Sequence, residues 1–423
     1  MSPAQVDLRP ADAGRREVLL SLTGSEPGVA IRVNAVVDGA HLHGSSNAVT
    51  RAAEEEPQRI FWGDIHCHSN LAQALESPDF LYSYARDEEA LDFICNTEHD
   101  AGTEDRWVEG RWRDWRPEVG SVQEYIEATW QYRKELVRKH YEPGRFVTLL
   151  GYEWASNLYG HANVYYASDD EAIFYPHDFW DEDFTPAELW RRLAGIEAFT
   201  VPHHVSHRIR SRRGGFVSGW DWRFYDPQLV PLVEMYSKHG SSEHFGCPRA
   251  IGDQVAEGCV DAALARGCRL GFVANTDTHA SRPGSDLAGD LNFRQGGLTA
   301  VFARRLDRRS VFDALRSRRC YGTSGQRIIV RFSVNDSFMG EHLSLPDSSA
   351  AKTIRFSVEG TDRLATVAVV KNNKVVHSES PAGTSVAAEY VDHAPTEATD
   401  FYYLRVLQQD GEMAWSSPVW VSG

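Results

Sequence analysis

Between residues 59 and 325, strand-like apolar runs alternate with helix-like segments, and five of those runs end in histidine, aspartate or glutamate. The strand candidates are RIFWGDIHCH, LDFICNTEH, RFVTLLGYEW, EAFTVPHH, LVPLVEMYS and RLGFVANTDTH. Between them lie PDFLYSYARDEEA, SVQEYIEATWQYRKELVRKHY, TPAELWRRLAG and VDAALARG, whose spacing predicts helices, and RRSVFDALRSRR closes the series. Such alternation predicts a parallel α/β architecture. A parallel barrel brings the carboxyl ends of its strands to one face, so residues far apart in the chain meet there. In GDIHCHS, pleating is expected to point Asp64, His66 and His68 one way; Asp277 and His279 of NTDTH share a face likewise.

Each ligand-type residue alone has a plainer reading. A strand-end histidine is commonly a hydrogen-bonded structural group, Glu153 alone could serve an ion pair, and Asp-x-His pairs arise by chance. Recurrence at the same end of five strands favours a metal centre, because convergence on one face is what metal-assisted hydrolysis requires.

A chain of 423 residues exceeds what one core usually holds. Residues 1–58, with REVLLSLTG and VAIRVNAVVDG ended by glycine turns, read as a β-rich extension. Residues 59–325 form the barrel-like part. Residues 326–423, with IIVRFSVN, KTIRFSVEG, TVAVVKNNKVV, DFYYLRVLQ and SPVWV, read as a β-sandwich. RWVEGRWRDWRPEVG fits neither period and is expected as a long loop at the barrel mouth. The net charge of −16 argues against general nucleic-acid binding. Six cysteines without CxxC spacing are expected as reduced thiols. With charged residues near the N-terminus and no apolar run of membrane-spanning length, the expectation is a soluble cytoplasmic protein with no membrane partner.

The order HxH, T-E-H-D, G-Y-E, P-H-H, D-T-H over residues 60–325 resembles the polymerase-and-histidinol-phosphatase (PHP) superfamily, in a bacterial branch with an N-terminal extension and a β-rich tail. The resemblance implies a distorted seven-stranded β/α, TIM-like barrel holding two to three divalent ions of zinc, manganese or iron. It implies that His66, His68, Glu153 and Asp277 share one ion. Glu153 would bridge to a second, with His161 and His204, His203 standing in reserve as its neighbour on the opposite strand face. His99 and His279 would take the third. The chain departs from the family pattern after HxHS: Gln73 and Ala74 replace expected ligands, so the third ion is expected to be weak or rescued by Glu76, with Asp79 a second loop carboxylate nearby.

A hydroxide bridging two such ions can attack an electrophile without a protein base. Asp277, Glu153 and His279 are therefore the expected catalytic residues of a phosphoesterase acting on a small anionic substrate. Arg208, Arg210, Arg212 and Arg213 in HRIRSRRGGF, and Arg282, are candidate anion contacts; a solvated loop is the alternative for the first four. His207, His239 and His244 are candidate proton donors, and Glu234 a candidate orienting group. Two other readings remain: an amide or ester hydrolase using the same centre, and a non-catalytic metal-stabilised binding protein.

Overall fold

The computed structural model describes residues 58–71, 74–100, 122–174, 180–210, 219–285 and 295–423, together with several short strands outside those ranges. Residues 1–56 are a unit of their own, in which Ala30–Ile31 pairs with Val49–Thr50 and Asn34–Val37 with Leu42–Ser45, all antiparallel. REVLLSLTG lies outside the described residues.

In residues 57–423, β1 (Arg59–Cys67) runs parallel to β2 (Phe93–Asn96), and β2 parallel to β3 (Val147–Thr148). Gly63 permits this contact: a Cβ there would stand 2.4 Å from the Phe93 carbonyl oxygen. Next come β4 (Leu150–Ser156), β5 (Gly160–Tyr166) and β6 (Ala198–His203), paired antiparallel in that order. β7 (Leu232–Ser237) and β8 (Gly271–Ala274) are parallel. The helices start where their caps predict. Ser77 accepts from Phe80 N ahead of α1 (Pro78–Ser83), Thr185 from Glu188 N ahead of α3 (Pro186–Leu193), and Asp307 from Ser310 N ahead of α5 (Arg308–Arg316). The longer α2 (Val122–Lys139) and the short α4 (Val260–Ala265) are the other α-helices among the described residues. Val311, Phe312 and Leu315 of α5 are buried against Phe61, Ile65 and Phe93, so one face of the helix covers the sheet.

The seven-stranded closed barrel does not appear as a continuous ladder among the described residues; pairing divides these strands into three sheets. The register shifts between Asp64 and Cys67 and between Glu234 and Tyr236, beside the residues that turn inward. Isolated parallel bridges, Cys67 to Thr278 and His99 to Glu153, tie the strand ends where the ladders stop. RWVEGRWRDWRPEVG departs in part from the loop expectation, because Arg106–Val108 and Arg111–Arg113 pair as antiparallel strands.

β1 also pairs with β9 (Leu298–Ala303), which pairs with β10 (Cys320–Thr323). From there the sheet continues into the tail: β10 pairs with β16 (Met413–Ser416), which pairs with β15 (Asp400–Gln408). β13 (Leu364–Lys371) and β17 (Val419–Ser422) also pair with β15, making one eleven-stranded sheet. A second layer of β11 (Ile329–Val334), β12 (Lys352–Glu359) and β14 (Ser385–Asp392) lies on it. Val330, Phe332, Ile354, Phe356 and Val358 of that layer join one core with Val367, Tyr402, Leu404 and Val406. All six cysteines are free and buried. Among the described residues, no helix is long and apolar enough to cross a membrane.

Candidate metal centre

Eight of the residues picked out at strand ends meet in one buried cluster. His66 Nε2 and His68 Nε2 lie 3.3 and 3.2 Å from Glu153 Oε2, and 3.5 and 3.4 Å from Asp277 Oδ1. The other oxygen, Glu153 Oε1, faces His161 Nδ1 at 2.8 Å, His203 Nε2 at 3.0 Å and His99 Nδ1 at 3.6 Å. Pairing register explains this second set. Glu153 is paired with Asn163 and His161 with His203, so the hairpin of β4 and β5 places Glu153, His161 and His203 on one sheet face.

Three groups have ligand atoms within 4.8 Å of one another and could hold metal ions: His66, His68 and Glu153; Glu153, His161, His203 and His204; and His68, His99 and His279. His203 and His204 were expected on opposite faces of a strand, with His204 the preferred ligand. Both enter the second group, because the strand ends at His203 and His204 takes a left-handed φ of 32° that turns it inward. Asp277 is also left-handed, with φ 55°. These are positions where strain is held by surrounding structure.

Asp64 does not join the imidazoles. Its Oδ2 accepts from Thr276 Oγ1 (2.5 Å) and Gly284 N (3.0 Å), and its Oδ1 from Thr276 N (3.2 Å), tying β1 to the loop that carries Asp277. Burial raises its pKa to about 6 against those hydrogen bonds. Glu234 Oε2 lies 2.9 Å from His66 Nδ1 and accepts from Asn275 Nδ2 at the same distance, which turns His66 Nε2 toward the cluster. Glu98 accepts from Ser69 and Asn96 and stands 3.9 Å from His68 Nδ1.

The electrostatics favour a cation. Burial pushes the Glu153 carboxyl up, but His99, His203 and His161 outweigh it and hold it well below the usual range; at Asp277, His66, Lys238 and His239 do the same. At His66, burial is outweighed in turn by Asp277, Glu234 and Glu153, so the pKa stands well above 6.5. Burial holds His99 down to about 3 and keeps His203, His204 and His279 low as well, with lone pairs on neutral rings. Neither ring nitrogen of His68 makes a hydrogen bond, nor do His161 Nε2 and His203 Nδ1, although all are buried. Leaving such groups unmet costs about 1–3 kcal/mol each, a cost that a coordinated cation removes.

Two residues beside the cluster were not singled out or not separated from their neighbours by sequence. His239 Nε2 lies 2.9 Å from Asp277 Oδ2, which distinguishes it from His244, half-buried with Nδ1 3.1 Å from the Phe245 carbonyl, and from His207. Lys238, buried, places Nζ 2.8 Å from His279 Nδ1. The sequence signal was their position just past the end of β7. Glu243, in the same loop, is buried and accepts from Tyr403 Oη (2.7 Å), Arg405 Nε (2.7 Å) and Trp415 Nε1 (2.9 Å), so strands of the tail hold this loop.

The other expected contacts are less central. Arg208 is exposed, Arg210 lies in a short strand paired with Phe216, and Arg212 and Arg213 fall outside the described residues. Arg282 lies over the rings of Phe80 and Tyr84, 6.0 Å from each. Glu76 is exposed, its backbone is anchored by Asn70 N and Ser281 Oγ, and it belongs to none of the three groups. Ala74 is buried, Asp79 pairs with Lys139, and Gln73 falls outside the described residues.

Residues 96–207 and 273–359 match a family described as a protein of unknown function (DUF3604). The chain is 26% identical over 400 residues to an uncharacterized protein of Chlamydia trachomatis serovar D, covering 89% of this chain and 59% of that protein. It is 26% identical over 398 residues to one of Chlamydia pneumoniae, with the same coverage, so the chain spans about 59% of the length of these relatives. Among solved structures, it is similar to a two-domain protein containing a predicted PHP-like metal-dependent phosphoesterase from Bacteroides vulgatus. There the TM-score is 0.45 at 14% identity, covering 87% of this chain and 96% of that one. A lesion-specific endonuclease from Pyrococcus furiosus gives a TM-score of 0.36 at 12% identity, over 61% and 56% of the two chains.

Proposed function

We propose that this chain is a divalent-metal-dependent hydrolase whose substrate is a small anionic phosphoester. The observation that carries the reading is the division of Glu153: Oε2 faces His66, His68 and Asp277, while Oε1 faces His161 and His203. One carboxylate so placed can serve two adjacent cations. On this reading His66, His68, Glu153 and Asp277 hold the first, and Glu153 with His161, His203 and His204 the second. Imidazole and carboxylate donors suit zinc, manganese or iron. Such ions, when bound, acidify water and polarise a phosphoryl or carbonyl oxygen.

The chain's own residues then do the rest. Glu234 keeps His66 turned inward, Asp64 fixes the loop of Asp277, and His239, against Asp277 Oδ2, is the imidazole placed to hand a proton to a leaving group. The motif order shared with the PHP superfamily supports the same reading, with the three sheets taken as an opened seven-stranded barrel. Six buried free thiols support a reducing, cytoplasmic setting.

The exposure of Arg208 favours a second reading, amide or ester hydrolysis at the same centre. The full chain, stripped with chelator and reloaded with zinc or manganese, is to be assayed against phosphomonoesters, phosphodiesters and amides. Turnover of a phosphoester that needs metal and disappears in a folded Glu153→Gln variant is the expected result. Metal-dependent turnover of amides alone selects the second reading, and turnover that survives Glu153→Gln overturns both.

A further inference from the structure

The strand Lys374–Glu379 stands at an edge of the eleven-stranded sheet: it pairs antiparallel with β13, and its other side pairs with no strand among the described residues. Such an edge offers a row of unpaired backbone donors and acceptors. This one is held in place. Asn372 and Asn373 turn the chain into it with φ of 48° and 64°, Asn372 Nδ2 donates to Asp400 Oδ1 at 2.7 Å, and Asn373 Nδ2 donates to the Asp261 carbonyl at 2.8 Å. Val375 and Val376 stand in solvent beside the edge, 52% and 36% exposed.

The charges along this strand are self-complementary. Lys374 is paired with Lys371, His377 with Val369 and Glu379 with Val367, while Val375 and Ser378 pair with Val370 and Ala368. Paired residues share a sheet face, so Lys374, His377 and Glu379 lie on one face and Val375 and Ser378 on the other. In a regular strand the odd separation of Lys374 and Glu379 would put them on opposite faces. The bulge opposite Val369 and Val370, which leaves Val376 unpaired, brings them to the same one. His377 stacks on Tyr390 of β14 with ring centroids 4.7 Å apart, and its Nε2 lies 2.9 Å from Glu379 Oε1, which fixes that carboxylate at the edge. A second copy running antiparallel along the edge, about a two-fold axis perpendicular to the sheet, sets Lys374 of each chain opposite Glu379 of the other and Val375 opposite Ser378.

We propose that this edge is a self-association surface, on which a second copy of this chain adds its own Lys374–Glu379 strand and continues the sheet across the two-fold axis. A lysine and a bulge discourage most foreign strands at an edge. Here the same two features suit the identical strand. The contact is one strand of six residues from each copy, which is small, so the dimer is reversible and depends on concentration.

The test uses the full chain in sedimentation equilibrium over a concentration series at low salt, with circular dichroism to check that each variant is folded. Wild type is expected to show a reversible monomer–dimer equilibrium. Lys374→Glu puts like charges opposite each other at both ends of the paired strands and is expected to weaken the dimer about tenfold or more; Glu379→Lys does the same with the other sign. Both substitutions in one chain restore opposite charges and are expected to recover the wild-type dimer. The two single variants, mixed, are expected to form a heterodimer, because each then meets its complement at both ends. A wild type that stays monomeric or assembles beyond a dimer, a dimer indifferent to Lys374→Glu, a double variant that stays dissociated, or single variants that fail to associate when mixed overturns the proposal.

Discussion

Replacing Arg405 by methionine tests whether the tail strands hold the loop that carries Lys238 and His239. Arg405 sends Nε (2.7 Å) and Nη2 (2.5 Å) to Glu243 Oε1, and Glu243 is 1% exposed. Methionine fills much of the same volume but leaves that carboxylate with only the Tyr403 hydroxyl and the Trp415 indole as donors. Stranding one partner of a buried ion pair costs about 3–5 kcal/mol. The Arg405 side chain is 20% exposed, so water recovers part of this, and about 2–4 kcal/mol is expected. Glu243→Gln with Arg405→Met should cost less than the two singles added, by about 1–3 kcal/mol, because the doubly substituted chain has no stranded charge. Urea unfolding followed by tryptophan emission reads both quantities. Metal-dependent turnover should fall in Arg405→Met at constant metal content, since Glu243 touches none of the clustered imidazoles but shares a loop with His239. A cost below about 0.5 kcal/mol, or strict additivity of the pair, would refute the reasoning.

Glu234→Gln should leave a folded protein with zinc affinity weakened about 10–100-fold, as loss of the partner that orients a ligating histidine implies; competition with a chromogenic chelator measures it, and unchanged affinity removes Glu234 from that role. Asp79, whose carboxylate meets Lys139 Nζ at 2.6 Å and His140 Nε2 at 2.7 Å, has its pKa held below 3.8, first by the Lys139 hydrogen bond and then by His140. A depressed folded-state pKa means that this contribution is present above about pH 4 and is lost as pH falls below it. Asp79→Asn should therefore flatten the acid limb of the stability profile below about pH 4, and an unaltered limb in melting curves would count against the pairing.

Much of the centre could be read from residue order because strand ends are local features. An apolar run closed by HCH, GYE or NTDTH announces its ligand-type residues wherever the strand sits, and the packing of the strands does the gathering. His161 was reachable only through resemblance, since GHANVYY was not read as a strand. Its meeting with Glu153 comes from the antiparallel register of β4 and β5. The rule of alternating faces failed at two places, both where the backbone leaves ideal strand geometry: at Asp64, beside a register shift, and at His204, just past the strand's end.

What the sequence by itself determined is most of the clustered histidines and carboxylates and the strand ends that carry them, because periodicity and strand-end position are properties of a few neighbouring residues. Only the tertiary structure decided which atoms face which. Lys238 meets His279 across 41 positions and Glu243 meets Arg405 across 162, contacts that no local pattern encodes. The physical reason is that a charged side chain in a loop selects its partner through the packing of strands remote in sequence. In this protein, that packing joins the tail's strands with β1 and β2, two of the site-bearing strands, in one continuous sheet.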